Sequence, residues 1–141
     1  MKETTAIAIL KLACLLTIGF GLVFAVVPID RLSLPATLFT DFVVWPPFDN
    51  GQSLSAPETR LYATVLGGVM VGWGTMHWMV VTNLIGVQNG LAVRMIRTST
   101  LAWFVVDSTG SALTGAGVNI LSNLVFLALF VLPLTVLSRR G

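Results

Sequence analysis

Residues 60–87 read RLYATVLGGVMVGWGTMHWMVVTNLIGV, and after Arg60 the run holds no acidic or basic side chain apart from a single histidine, His77. The hydrocarbon layer of a membrane is about 30 Å thick and a helix rises about 1.5 Å per residue, so about 20 mainly apolar residues span it. The run is long enough, and a spanning helix is expected over 60–87. Upstream, residues 6–27 form a second apolar run, interrupted only by Lys11 and closed by Pro28, which cannot continue a helical hydrogen-bond ladder. Downstream, Gln88, Asn89 and Gly90 make a short turn before a third span at 91–113. Thr114 to Gly117 make another before a fourth at 118–137. Short connections make successive helices antiparallel neighbours. The expected fold is all-α: a transmembrane four-helix up-down bundle, one domain over residues 1–141, with a long outer loop at 28–59.

Composition agrees. Of 141 residues 55% are hydrophobic and 10% charged, with a mean hydropathy of +0.90. A soluble domain carries about 25% charged residues, so a cytosolic globular protein is excluded. Eight Lys and Arg against six Asp and Glu leave a net charge of +2, too little for a nucleic-acid surface, and no nucleic-acid partner is expected. The lone cysteine, Cys14, allows no intrachain disulfide and no cysteine-rich metal site.

Loops rich in Lys and Arg near span ends stay in the cytoplasm. With both termini inside, Lys2, Lys11, Arg94, Arg97, Arg139 and Arg140 gather on the cytoplasmic side, and only Arg31 and Arg60 lie outside, beside Asp30, Asp41, Asp49 and Glu58. The first span also starts as a secretory leader does, but Val26-Val27-Pro28 offers no small-x-small cleavage site, so it is expected to be retained. In the loop, Leu38, Phe39, Phe42, Val43, Val44, Trp45 and Phe48 alternate with prolines and aspartates. That mixture suits a segment lying on the outer interface or capping the bundle.

Polar groups at membrane depth are costly and ask for a partner or a purpose. Asp107 lies about 24 Å from the inner end of the third span, in the outer half of the bilayer. Helical spacing places Thr100, Trp103, Asp107 and Ser111 on one face, and Asn119 and Asn123 of the fourth span reach a similar depth. A cluster of Asp107, Ser111, Asn119 and Asn123 beside Trp103 is therefore expected, either as interhelical glue or as a site for a polar ligand or proton. His77 sits near mid-membrane on a face with Met70, Trp73, Gly74 and Val81. It suits a buried hydrogen bond to a threonine or carbonyl, or axial ligation of a haem or chlorophyll-type macrocycle, although no second histidine exists. Gly68 and Gly72, four apart, form a small-residue face for close helix contact, within the bundle or at a homodimer seam. Lys11, Arg94 and Arg97 read as snorkelling anchors, Glu58 and Arg60 as a pair or cap at the start of the second span, and Pro133 as a bend in the fourth.

Catalytic machinery is not evident. There is no GxxxxGK[ST] loop, no HExxH motif and no serine-histidine-aspartate set at one depth, so neither catalytic residues nor a metal site are expected. The small multidrug resistance proteins also have four helices, but their defining acid lies in the first span, which here holds Lys11 and no carboxylate.

The run 58–78, ETRLYATVLGGVMVGWGTMHW, together with Trp103 to Ser108, Gly110, Asn119 and Asn123, resembles a group of small bacterial four-helix integral membrane proteins. The sequence is also loosely similar to DoxX-like proteins in having four short spans. The resemblance begins at about Glu58 and implies a multi-pass protein of the bacterial inner membrane; it carries no activity across. The expected role is an accessory or assembly subunit of a larger membrane complex, energy-converting complexes being natural hosts, with membrane lipid, other membrane subunits or further copies of the chain as partners. The alternatives are a binder or transporter of a small polar or lipophilic ligand and, through His77, a haem or pigment protein; no cofactor is otherwise expected.

Overall fold

The computed structural model describes residues 1–138. Five α-helices follow one another: α1 (Glu3–Ala25), α2 (Leu34–Val43), α3 (Pro57–Asn83), α4 (Asn89–Leu113) and α5 (Gly117–Leu137), with a 3-10 turn at Asp30–Leu32 and no strand among the described residues. Arg139 and Arg140, counted above among the cytoplasmic charges, lie outside the described residues.

The helices begin and end where local chemistry requires. Proline at the first position of α3 lacks only an N–H that would be orphaned there anyway. The α3–α4 turn uses Gly86 at φ 91°, and the α4–α5 turn Gly115 at φ 77°, a left-handed backbone that side chains resist. Serine and threonine hydroxyls inside the long helices return to backbone carbonyls a turn earlier, as Thr17 does to Ala13, Thr75 to Val71 and Thr109 to Val105. These bonds satisfy the hydroxyls within the helix itself.

Three helices, α1, α3 and α5, are long and apolar enough to cross a membrane. The fourth long helix, α4, has 25 residues and reaches about 37 Å, but Arg94, Arg97, Asp107 and a series of serines and threonines keep its composition below that of the other three. Its polar groups are not distributed at random. Thr100 and Ser111 are buried while Leu101, Val105, Val106 and Leu113 are exposed. Outward apolar residues recur on every long helix, including Leu15, Leu22, Val65, Leu121 and Val125, the reverse of a water-soluble protein.

Glycine sets the tightest packing. A Cβ on Gly67 would fall 2.5 Å from the Gly21 carbonyl and against the Ala25 backbone; one on Gly21 would fall 2.8 Å from the Gly67 carbonyl; one on Gly74 would meet Ile18 at 2.8 Å. The pairs Ala25–Gly67, Gly21–Val71 and Ile18–Gly74 run in opposite directions, so α1 and α3 are antiparallel and nearly in backbone contact. The expectation that Gly68 and Gly72 make the close contact within the bundle is overturned: a Cβ at either has nothing within 4 Å. Gly67 and Gly74, seven apart, share the face that meets α1, and Gly68 and Gly72 point away from it.

One core cluster gathers Leu10, Ala13 and Cys14 of α1, Val80 and Val81 of α3, Ala92, Val93 and Ile96 of α4, and Phe130, Leu134 and Leu137 of α5. A smaller one joins Phe24, Val27, Ala36 and Ala63 at the opposite end, where α2 packs. Pro133 is fully buried in α5. The segment 28–59 is therefore not a plain loop, since it contains α2 and the 3-10 turn. Its anchors are specific. Arg60 bonds Asp30 at 2.6 Å and the Leu54 carbonyl, so that of the two roles weighed for Glu58 and Arg60, a pair or a cap, the pairing goes to Asp30 instead. The Trp45 amide donates to the Gly115 carbonyl in the α4–α5 turn. Asp41 is buried; its Oδ2 accepts the Asn50 amide and its carbonyl accepts the Phe48 amide, which folds residues 44–50 back onto the end of α2.

Candidate functional site

The α3–α4 turn is closed by the Asn89 side chain, whose Oδ1 accepts the Gly86 amide at 2.6 Å. From there the two helices share the main core through Val80, Val81, Ala92, Val93 and Ile96. His77 marks the next level. Its ring is 1% exposed, stands 4.7 Å from Trp73 and 5.2 Å from Phe130 between ring centres, and its Nε2 lies 2.8 Å from Ser99 Oγ on α4. The Ser99 hydroxyl donates to the Met95 carbonyl at 2.9 Å, which leaves the oxygen free to accept and suits the tautomer with its proton on Nε2. Nδ1 and the hydroxyl of Thr100 have no partner among the described residues. This is the buried hydrogen bond weighed above, with a serine as partner. Trp73, Phe130 and Ser99 enclose the ring.

One turn further along, Trp73 and Trp103 bridge α3 and α4 at 5.4 Å between ring centres. Past this pair a cavity of about 600 Å³ separates the two helices. Leu66, Val69 and Met70 line it from α3, and Ala102, Val106 and Asp107 from α4. Phe20 and Phe24 of α1 and Ser122 and Phe126 of α5 line it as well, and Phe39 of α2 contributes at the α2 end. Aromatic contacts run continuously around it: Phe20 to Phe39 at 4.7 Å, Phe20 to Phe126 at 6.1 Å and Phe126 to Trp103 at 6.4 Å.

The polar wall comes from α4 and α5. Asn119 Nδ2 donates to Ser111 Oγ at 2.9 Å and over a longer 3.4 Å to Asp107 Oδ1, which Ser111 also reaches at 3.3 Å. Asn123 Nδ2 donates to Ser108 Oγ at 3.2 Å. Asp107, Asn119 and Asn123 line the cavity and Trp103 forms part of its aromatic end. The residues expected to cluster are thus brought together, with one change: Asn123 bonds Ser108, the residue next to Asp107, and not the carboxylate itself. Oδ2 of Asp107 has no hydrogen bond among the described residues. His77 does not line the cavity, and Gly68 and Gly72 lie away from it.

Sequence reasoning missed the hydrophobic half of this site. Phe39 reads in the sequence as part of an interfacial loop, and Phe20 and Phe24 as two more apolar residues of the first span. Nothing in one sequence reveals that α1, α2, α3 and α5 present these rings to a common space. Lys11, read as a snorkelling anchor, places its ammonium 5.8 Å from the Trp78 ring centre, within cation–π range. Among the described residues no group of three or more His, Cys, Asp or Glu could hold a metal ion.

Comparisons of the chain with protein-family models, with curated proteins and with solved structures find no match.

Proposed function

We propose that this chain is a multi-pass protein of the bacterial inner membrane, with four spans and both termini cytoplasmic, that binds a small lipophilic molecule between α3 and α4. The observation that carries the reading is the 600 Å³ cavity with aromatic walls and one polar side. Small-molecule sites are typically clefts of about 300–1,000 Å³, mainly apolar, with a few converging polar groups. α4 serves as the fourth span because its polar side chains bond to α3 and α5 while Leu101, Val105 and Leu113 face outward. A ligand dissolved in the membrane would reach the cavity sideways between α3 and α4.

The test is purification from the native membrane in mild detergent, followed by extraction and mass spectrometry of copurified small molecules. The wild type should carry a substoichiometric to stoichiometric lipophile, and Ala102→Trp, which projects an indole into the cavity, should lose it while the helical circular dichroism is kept. Equal retention by both proteins would refute the reading.

A second reading, membership of a larger membrane complex as an accessory or assembly subunit or as a homo-oligomer, is favoured by Gly68 and Gly72. They leave a flat strip on the outer face of α3, with open space where a second backbone could approach. Copurified subunits in the same preparation would support it, and a monomeric, partner-free chain would oppose it.

A further inference from the structure

From the lining of the cavity we infer that its ligand is a lipophilic organic cation, an ammonium group on an apolar body; this rests on the proposed binding function and specifies its chemistry. Three observations converge. First, among the described residues the lining contains one ionisable side chain, that of Asp107, and no Lys, Arg or His, so the only charge the lining can present is negative. An anionic head would be opposed by that carboxylate in a medium of low dielectric, where like charges interact strongly. Second, the carboxylate is only half used. Oδ1 accepts from Ser111 and Asn119, which orient the group, and Oδ2 keeps an acceptor position for which the described residues supply no donor. Third, the remainder of the lining is unusually aromatic: six rings, Phe20, Phe24, Phe39, Trp73, Trp103 and Phe126.

A neutral lipophile needs apolar walls but no carboxylate. A cation uses both features, because ring faces attract positive charge and a carboxylate accepts charge-assisted N–H bonds. Other membrane-depth functions of Asp107 do not use the rings. Interhelical glue would leave no acceptor open, and a proton relay would require further titratable groups in line with it, which the lining lacks.

Three probes share one twelve-carbon chain and differ only in the head: dodecylammonium, dodecanol and dodecanoate. Each is titrated in labelled form into the full-length protein in phosphatidylcholine nanodiscs, with the uptake of empty nanodiscs subtracted. The inference expects saturable binding with dodecylammonium at least tenfold tighter than dodecanol, and dodecanoate weakest. In Asp107→Asn the ammonium advantage over dodecanol should collapse to within about twofold while dodecanol still binds saturably; that retained binding also shows that the cavity has kept its shape. Trp103→Leu should weaken dodecylammonium more than dodecanol.

Dodecanol binding as tightly as dodecylammonium to the wild type overturns the cation assignment and leaves the lipophile-binding function standing. An ammonium advantage that persists in Asp107→Asn also overturns it, since the selectivity would then arise elsewhere. Absence of saturable binding by all three probes overturns the binding function and the inference together.

Discussion

Gly67 and Gly68 are neighbours in sequence, yet the structure assigns them opposite responses to the same substitution. In Gly67→Ala the new methyl would lie 2.5 Å from the Gly21 carbonyl and overlap the Ala25 backbone, where ordinary contact begins at 3.4 Å. Backbone cannot rotate aside, so α1 and α3 must part by about 1 Å along this seam, an overpacking cost of about 2–3 kcal/mol. Alanine's better helix propensity returns about 1 kcal/mol, leaving a net loss of about 1–2 kcal/mol. In Gly68→Ala nothing lies within 4 Å, so only the propensity gain of up to about 1 kcal/mol remains. The two variants should therefore differ by about 2–3 kcal/mol. Unfolding in mixed micelles by graded addition of a denaturing detergent, followed by helical circular dichroism, measures this directly. Equal shifts in the two variants, or a larger loss at Gly68, would refute the register of α1 on α3 described here. A loss at Gly68 seen only in the native-membrane assembly would instead locate a second helix on that face.

The polar wall predicts a modest cost for Asp107→Asn, under about 1 kcal/mol in the same unfolding assay, because its bonds to Asn119 and Ser111 are long and interhelical polar contacts average about 0.6 kcal/mol. A loss above about 2 kcal/mol would make Asp107 chiefly structural. His77→Ala should cost more, about 3 kcal/mol, since it empties a space packed against Trp73 and Phe130 and removes the bond to Ser99. The visible spectrum should show no macrocycle band in wild type or variant, and a Soret band that vanished in His77→Ala would overturn the enclosed environment described for the ring. Asp30→Ala should cost less than about 1 kcal/mol despite the 2.6 Å contact to Arg60, because the aspartate side chain is 77% exposed and solvent screens the pair; a larger loss would show that this bridge anchors the segment before α3.

The sequence by itself determined the all-α class, the lipid-compatible character of the chain and, within a few residues, the four long helices, because those follow from run length, hydropathy and prolines, all of which are local. It also put Asp107, Ser111 and Asn119 together, since one short turn joins α4 to α5 and helical spacing then dictates which residues meet across it. What it did not determine was everything that depends on which faces of distant helices come together. Gly68 and Gly72 have the same spacing as a contact motif, and only the rotation of α3 against α1 shows that Gly67 and Gly74 bear the contact. His77 was open to several partners until α4 brought Ser99 to it. The cavity is the extreme case: Phe20, Phe39, Met70, Val106 and Phe126 come from five helices, and the space among them exists because α3 and α4 meet at His77 and Trp73 but not beyond. A void is a property of what fails to touch, and tertiary packing alone decides that.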